Sequence, residues 1–334
     1  MKHLTALLAA LFALGLAACG EKEENLGQGQ AEQLDLALDF YVNPDHAGIY
    51  TALERGYFQQ AGLNVAPRVP SDPSAPIREV AAGRADLAVS YEPEVLLARD
   101  KGLDVVAVAA LVDEPLTSLI SLPEAGIEGR GDLKGKTIAT AGIPYQADYL
   151  ETILAGAGLA PGDVEQVDVG FNLLPALLGG QADAILGGFK NIEGVDLERR
   201  GLDPSVVPVD QLGVPTYDEL VLVARGGRVA EDPEALRLFI GALAKGTRDA
   251  VADPRSATRA ILAANGTLDP ELTRAEVEAT LPLLAASPDQ PFGQMDGEEW
   301  SLFASWMAEN GLIGEVPESG DVLSNELLPS ATAE

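Results

Sequence analysis

Residues 34–69 read LDLALDFYVNPDHAGIYTALERGYFQQAGLNVAPRV, and this stretch decides the fold. Leu34 to Phe40 alternates around Asp35 and Asp39, the period-two pattern of a half-buried strand. Ala47 to Gln60 follows with Ile49, Leu53 and Tyr57 at four-residue spacing, one face of a helix, and Gly62 is its stop. Leu63 to Val69 returns to strand. Strand, helix and strand in succession predict a βαβ unit with parallel strands.

The unit recurs along the chain. The pattern predicts a helix over 77–82 ended by Gly83, a strand over 86–90, a helix over 92–101 ended by Gly102, and a buried strand over 105–111. After residue 130 the rhythm restarts, with strands over 135–140, 164–169 and 182–187 and helices over 145–157 and 173–179. Leu220 to Ala224 is a further apolar strand. Beyond it the chain turns helical. Asp232-Pro233 has the form of a cap and first helical residue, and Leu236, Phe239, Ile240 and Leu243 share one face. Helices are also expected over 270–284 and 298–310.

Two similar rhythms predict an α/β protein of two lobes, each a mainly parallel sheet flanked by helices. Segments 116–122 and 220–224 fall at the changes between them and are expected to be two crossing strands. The first lobe is then discontinuous, 34–120 plus 222–320, the second is 121–221, and 321–334 is a loose tail. Open α/β sheets bind ligands beyond the carboxyl ends of their strands, so two facing lobes make a cleft that closes by a hinge.

Composition narrows the chemistry. There are 52 Asp+Glu against 22 Lys+Arg, a net charge of −30, and such a surface repels phosphate backbones, so no nucleic-acid partner is expected. One cysteine and two histidines exclude a disulfide framework and a Cys/His metal cluster. Neither a metal nor a cofactor is expected, and no nucleophile–base arrangement for catalysis can be assembled.

The N-terminus carries an address. Lys2 and His3 precede the uncharged apolar run Leu4 to Leu16, which has the length of a signal-peptide core and falls short of a membrane span. It ends Leu16-Ala17-Ala18-Cys19-Gly20, which resembles the lipobox of bacterial lipoproteins. That resemblance implies a leader over 1–18, cleavage before Cys19 and a lipid on its sulfur; a plain signal peptide with a chance cysteine is the alternative. Residues 19–33 are too polar to fold and read as a tether. The protein is expected to be exported and held at the outer face of the cytoplasmic membrane by lipid alone.

Several segments together carry a family resemblance. They are Leu38 to Tyr50 with Glu54-Arg55-Gly56-Tyr57-Phe58, Gly83 to Val89, Ser90 to Leu96, Val169 to Leu178, Asn191-Ile192-Glu193, and Gly213 to Leu220. Over most of residues 34–225 the chain resembles the solute-binding proteins of ABC importers, and within them the branch that binds thiamine pyrimidine precursors. The resemblance implies a two-lobed periplasmic-binding-protein type II fold, no catalysis, a monomer, permease and ATPase partners, and a small heteroaromatic solute such as a hydroxymethylpyrimidine. Two departures stand out. Phe40-Tyr41-Val42 replaces a Trp-Thr-Pro that this branch tends to have, and Lys190 stands before Asn-Ile-Glu where an aromatic is common. A riboflavin-like heterocycle, a sulfonate or nitrate remain alternative ligands. A pyrimidine synthase of the same fold is the alternative of another class, but that family brings a cysteine-rich motif and Cys19 is the one cysteine here.

The candidate ligand residues follow from the expected strand ends. Glu193 is the carboxylate to read an amine on a ring edge, the role the resemblance also implies; the plain alternative is a solvated loop glutamate. Tyr41, Tyr91 and Tyr145 each lie just past a predicted strand, as stacking faces or as packing. Asp39 and Asn43 flank the first strand end, where turn chemistry would use them equally well. His46 falls at a helix start as cap or contact, Phe171 and Asn172 follow the 164–169 strand, Lys190 would meet an anion or water, and Tyr217 precedes the returning crossover.

Overall fold

The computed structural model describes residues 31–284 and 290–329. The chain separates into two units, 1–31 and 32–334, and the second holds both sheets. The expected leader 1–18, Cys19 and the tether as far as residue 30 lie outside the described residues.

In chain order the first part gives β1 (Glu32–Ala37), α1 (Ala47–Glu54), α2 (Tyr57–Gln60), β2 (Leu63–Arg68), α3 (Ala75–Ala81), β3 (Leu87–Ser90), α4 (Glu92–Asp100) and β4 (Val105–Val112). The second gives β5 (Thr117–Ser121), β6 (Thr137–Thr140), α5 (Tyr145–Ala155), β7 (Glu165–Asp168), α6 (Leu173–Leu178), β8 (Ala184–Phe189), α7 (Glu193–Arg199) and β9 (Ser205–Pro208). Then come β10 (Leu220–Arg225), α8 (Gly226–Glu231), α9 (Pro233–Ala252), α10 (Pro254–Ala264), α11 (Pro270–Leu284), α12 (Gly297–Glu309) and α13 (Ser319–Val322).

The strands form two five-stranded sheets, ordered β2-β1-β3-β10-β4 and β7-β6-β8-β5-β9. β1 pairs in parallel with β2 and β3, and β6 with β7 and β8. β10 is antiparallel to β3 and β4, and β5 to β8 and β9. The two sheets therefore repeat one plan, in which a single reversed strand is inserted between the third and fourth parallel ones. Each inserted strand is reached by a crossing of the chain, between β4 and β5 and between β9 and β10. The result is the two-sheet α/β architecture that the rhythm of the sequence implies. β4 is buried at every position because helices cover both faces of its sheet.

Several boundaries differ from expectation for local reasons. β1 starts at Glu32, so Glu32 and Gln33 belong to the sheet and not to the tether, opposite Leu63 and Asn64 of β2. β5 is in the second sheet from Thr117 onward and β10 in the first from Leu220, which shifts both lobe limits by a few residues. The helix expected over 47–60 is two, α1 and α2, because Gly56 takes a left-handed φ of 69° between them. Asp232 makes no side-chain cap for α9 and instead meets Arg228; the cap forms at the next Asp-Pro pair, where Asp253 accepts from the Ser256 N–H at 3.1 Å. The segment 321–329 is packed and not loose. Leu323 bridges to Ala107, Leu327 is buried, and Asn325 exchanges two hydrogen bonds with the Met295 backbone.

The C-terminal helices clamp the first sheet. α9 crosses α1 so closely that a Cβ on Gly246 would run into the Gly48 carbonyl and Ala52, and one on Gly48 would strike Thr247. Gly246→Ala is expected to destabilise the protein by about 1–3 kcal/mol through overpacking. A urea midpoint unchanged by that substitution would show that the crossing tolerates a methyl group.

Candidate functional site

A cavity of about 190 Å³ lies where the carboxyl ends of β1, β3, β6 and β8 converge. Each strand delivers part of its wall. The turn after β1 brings Asp39 to Pro44, β3 brings Tyr91, β6 brings Ala141, Ile143, Tyr145 and Gln146, and β8 brings Gly187, Phe189, Ile192 and Glu193. Thr117, Leu173, Leu268 and Glu276 complete it.

Asp39 organises the first-sheet side. It is 1% exposed, and both carboxylate oxygens are engaged. Oδ2 accepts from the Tyr91 hydroxyl at 2.9 Å, and Oδ1 lies 2.8 Å from His46 Nε2. The Asn43 N–H donates to His46 Nδ1 at 3.2 Å, so the imidazole proton is on Nε2 and points at Asp39. Asn43 Oδ1 in turn accepts from the Asp45 N–H at 2.8 Å, capping the short turn Pro44–His46. Sequence reasoning proposed Asp39, Asn43 and His46 as ligand contacts. The structure places Asp39 and Asn43 in the wall and uses His46 as a buried brace behind them.

The aromatic walls divide into two groups. Tyr91 and Tyr145 meet edge to face at 5.9 Å, and the series continues inward through Tyr149, Tyr217 and Phe303, at centroid distances of 4.9, 5.7 and 5.0 Å. Tyr217 belongs to this inner column and not to the wall. Its hydroxyl donates to Glu219 at 3.0 Å, and Glu219 also accepts from the N–H groups of Leu116 and Thr117 at 2.8 and 2.7 Å. At the mouth, Phe171 packs on Phe40 at 4.7 Å and on Tyr41 at 4.4 Å, joining the turn after β1 to the turn after β7. Tyr41 is half exposed there. Asn172 stays outside the cavity, with its amide donating to the Val169 carbonyl.

The polar character of the cavity is acidic. Among the described residues that line it there is no lysine or arginine. Lys190 points away and pairs with Glu114 at 2.5 Å. The aromatic expected at position 190 is supplied by Phe189. The reason is a bulge. Ser118 pairs with Gly188 and Leu119 with Leu186, so Gly187 is left over, with a φ of 113°. The extra residue shifts the alternation of β8 by one. A Cβ on Gly187 would also run into the amide nitrogen of Gln146, whose Oε1 accepts from the Ala141 N–H at 2.9 Å.

Glu193 lines the cavity, as the sequence indicated, but it opens α7 and is not a loop residue. Its Oε2 accepts from the Phe189 N–H at 2.7 Å, while burial raises its pKa. Behind it, Asn191 Nδ2 donates to Asp45 Oδ1 and Thr280 Oγ1, each at 2.7 Å, linking the turns after β1 and β8 to α11. Glu276, one turn before Thr280, also reaches the cavity. Sequence reasoning missed Phe40, Thr117, Gln146, Phe189, Leu268 and Glu276. Gln146 and Phe189 sit beside residues that were singled out, whereas Leu268 and Glu276 arrive only through the return of the C-terminal helices.

Comparison with known proteins gives a consistent picture. A family model described as NMT1/THI5 like matches residues 43–257. The chain is 37% identical over 331 residues to a formylaminopyrimidine-binding protein of Halalkalibacterium halodurans, covering 97% of this chain and 98% of that protein. It is 27% identical over 232 residues to a 4-amino-5-hydroxymethyl-2-methylpyrimidine phosphate synthase of Schizosaccharomyces pombe, covering 66% of each. The alkanesulfonate-binding protein of Xanthomonas axonopodis pv. citri, solved with MOPS, superposes with a TM-score of 0.69 at 17% identity, over 87% of this chain and 98% of that one; it shares the fold.

The buried acids around the site and crossover set a pH dependence of stability. Burial raises Asp45, Glu94 and Asp218 to about 7 and Glu276 to about 8. Each folded-state pKa lies above the unfolded value of about 4. The stability these groups contribute is complete below about pH 4 and is lost as pH rises through 7 to 8. The unliganded protein should melt at least about 3 °C higher at pH 5.5 than at pH 8, in salt high enough to screen its surface charge. A midpoint that is flat or rises over that interval, measured by calorimetry, would contradict these assignments.

Proposed function

The chain belongs to the NMT1/THI5-like family, and from that membership we propose that it is the solute-binding component of an ABC importer, capturing a single-ring aminopyrimidine of the thiamine-precursor kind. The observation that carries this reading is the cavity itself. Its walls are aromatic, its lining carboxyl groups are Asp39, Glu193 and Glu276, and among the described residues that line it none is basic. Such a site offers stacking faces to a flat ring and acceptors to its amino group. A sulfonate or nitrate would find no lysine or arginine among the described lining residues to pair with its charge, which favours a neutral or cationic ring.

Size favours one ring. A cavity of about 150 Å³ suffices for a benzene molecule. The 190 Å³ here accommodates a substituted pyrimidine. Glu193 is the edge reader. The Phe189 N–H fixes one of its oxygens, and the other is left for the exocyclic amine.

Two lobes, each built on one sheet, close over the ligand about the crossings at 113–116 and 209–219. The reading includes export, a lipid anchor on Cys19, a monomeric state, and permease and ATPase subunits as partners. No helix among the described residues is long and apolar enough to cross a membrane. Catalysis is not part of the proposal. His46 has both ring nitrogens engaged, and the chain has no cysteine beyond Cys19 to supply the motif of the related synthases.

Calorimetry on the purified protein tests this directly. Hydroxymethylpyrimidine or its formylamino-aminomethyl relative should bind at about micromolar Kd or tighter. Taurine, nitrate and riboflavin should give no heat. Glu193→Gln should weaken pyrimidine binding at least tenfold. Binding of taurine in place of every pyrimidine would overturn the ligand class, and an unaffected Glu193→Gln variant would remove Glu193 from the site.

A further inference from the structure

The cavity has a second glutamate whose chemistry differs from that of Glu193. Glu276 projects from α11 and lines the cavity, yet the residue is only 7% exposed. Among the described residues no hydrogen-bond or ion-pair partner is found for it. Every comparable acid nearby is engaged. Asp196 is bracketed by Arg200 at 2.6 and 3.0 Å, Asp45 accepts from Asn191, and Glu193 accepts from the Phe189 N–H. Glu276 also lies beyond residues 43–257, so the family match assigns it no role.

We propose that Glu276 is the hydrogen-bond donor of the binding site, presenting a carboxylic-acid O–H to an acceptor atom of a neutral heteroaromatic ring, while Glu193 supplies the acceptor. This rests on the pyrimidine-binding function and deepens it. Two carboxyl groups facing one small, mainly apolar cavity cannot both ionise cheaply, and the proton goes to the one with least support for its charge. Glu193 has the Phe189 N–H to stabilise an anion; Glu276 has no donor. Its pKa is pushed up to about 8, by burial first and then by the charges of Asp196 and Glu193.

The surroundings agree. Glu193 and Asp196 face Glu276 from α7, and Asp45 and His46 sit on the turn packed against α11, each already bonded to another residue. Arg255 and Arg259 of α10, Glu234, Arg237, Lys245 and Arg248 of α9, and Glu54 of α1 are exposed, while Asp249 of α9 is bonded to Tyr57. Among the described residues, the packed elements therefore bring no buried lysine or arginine to hold Glu276 as an anion. A donor beside an acceptor matches an amino-substituted ring, which presents an N–H next to a ring nitrogen that can only accept. Either carboxylate alone would admit any ring carrying an amine; the pair selects one with both groups.

An unpaired buried acid costs stability and is retained only if something else needs it. That gives the test a signature a structural residue would not show. Glu276→Leu should raise the melting temperature of the unliganded protein while weakening hydroxymethylpyrimidine binding at least tenfold. Glu276→Gln, which keeps a donor, should bind within about threefold of wild type. Wild type should also lose affinity for at least one of the two analogues in which a ring nitrogen is replaced by CH, and Glu276→Leu should no longer distinguish it from the parent ring. A Glu276→Leu variant that binds as wild type does, or that melts lower in the unliganded form, overturns the inference and leaves the ligand class standing. If wild type binds no pyrimidine at all, the functional reading fails first.

Discussion

The buried carboxylate of Glu219 fixes the point on which both sheets depend. It sits at the end of the second crossing and accepts three hydrogen bonds from the end of the first, from the Leu116 and Thr117 N–H groups and the Thr117 hydroxyl. A fourth comes from Tyr217. Two connections that are a hundred residues apart in sequence are thereby held at one carboxyl group. Its neighbour Asp218 anchors the C-terminal helices through Trp300 Nε1 at 2.7 Å, and the Asp218 N–H donates to Glu92 at the start of α4 at 2.8 Å. Burying acids is costly, and Glu92, Asp218 and Glu219 all have raised pKa values for that reason. The return is geometric. Thr117 belongs to the same contact and also lines the cavity, so the two crossings and the cavity wall share a residue.

The architecture was legible in the sequence to the extent that periodicity encodes it. Strand and helix alternation, the two crossings and the strand ends that build the cavity all follow from apolar spacing and glycine stops. What escaped was set by pairing and by distant return of the chain. β9 is a four-residue edge strand ending in Pro208, too short to carry a pattern. The bulge at Gly187 is invisible until β5 lies beside β8, and without it Lys190 rather than Phe189 was the residue to suspect. Of the proposed contacts, Asp39, Tyr41, Asn43, Tyr91, Tyr145 and Glu193 are in the wall, because each directly follows a strand end or sits at the turn beyond it. His46, Phe171, Lys190, Asn172 and Tyr217 are not, because their partners lie within the protein: Asp39, the rings of Phe40 and Tyr41, Glu114, the Val169 carbonyl and Glu219.

The charge of the whole chain and the charge of the site answer to different constraints. A net of −30 is spread over an exposed surface and screened by salt. In the cavity a few carboxyl groups stand close together in a mainly apolar wall, where burial raises the pKa of Glu193 and Glu276. The same residue type thus serves as solvated shell, as acceptor between the two crossings at Glu219 and as a lining group of the cavity at Glu193.

The repeated strand plan has a consequence for how the molecule comes into being. β10 occupies an interior place in the first sheet, between β3 and β4, yet it follows the end of β4 by about a hundred residues. While the chain is being made, the first sheet has a gap that no earlier segment can fill, and it stays open until the whole second sheet has emerged. Contacts of such long range form late and keep the nascent chain loose. A topology that postpones its own closure in this way acts as a timer on the folding of the first sheet.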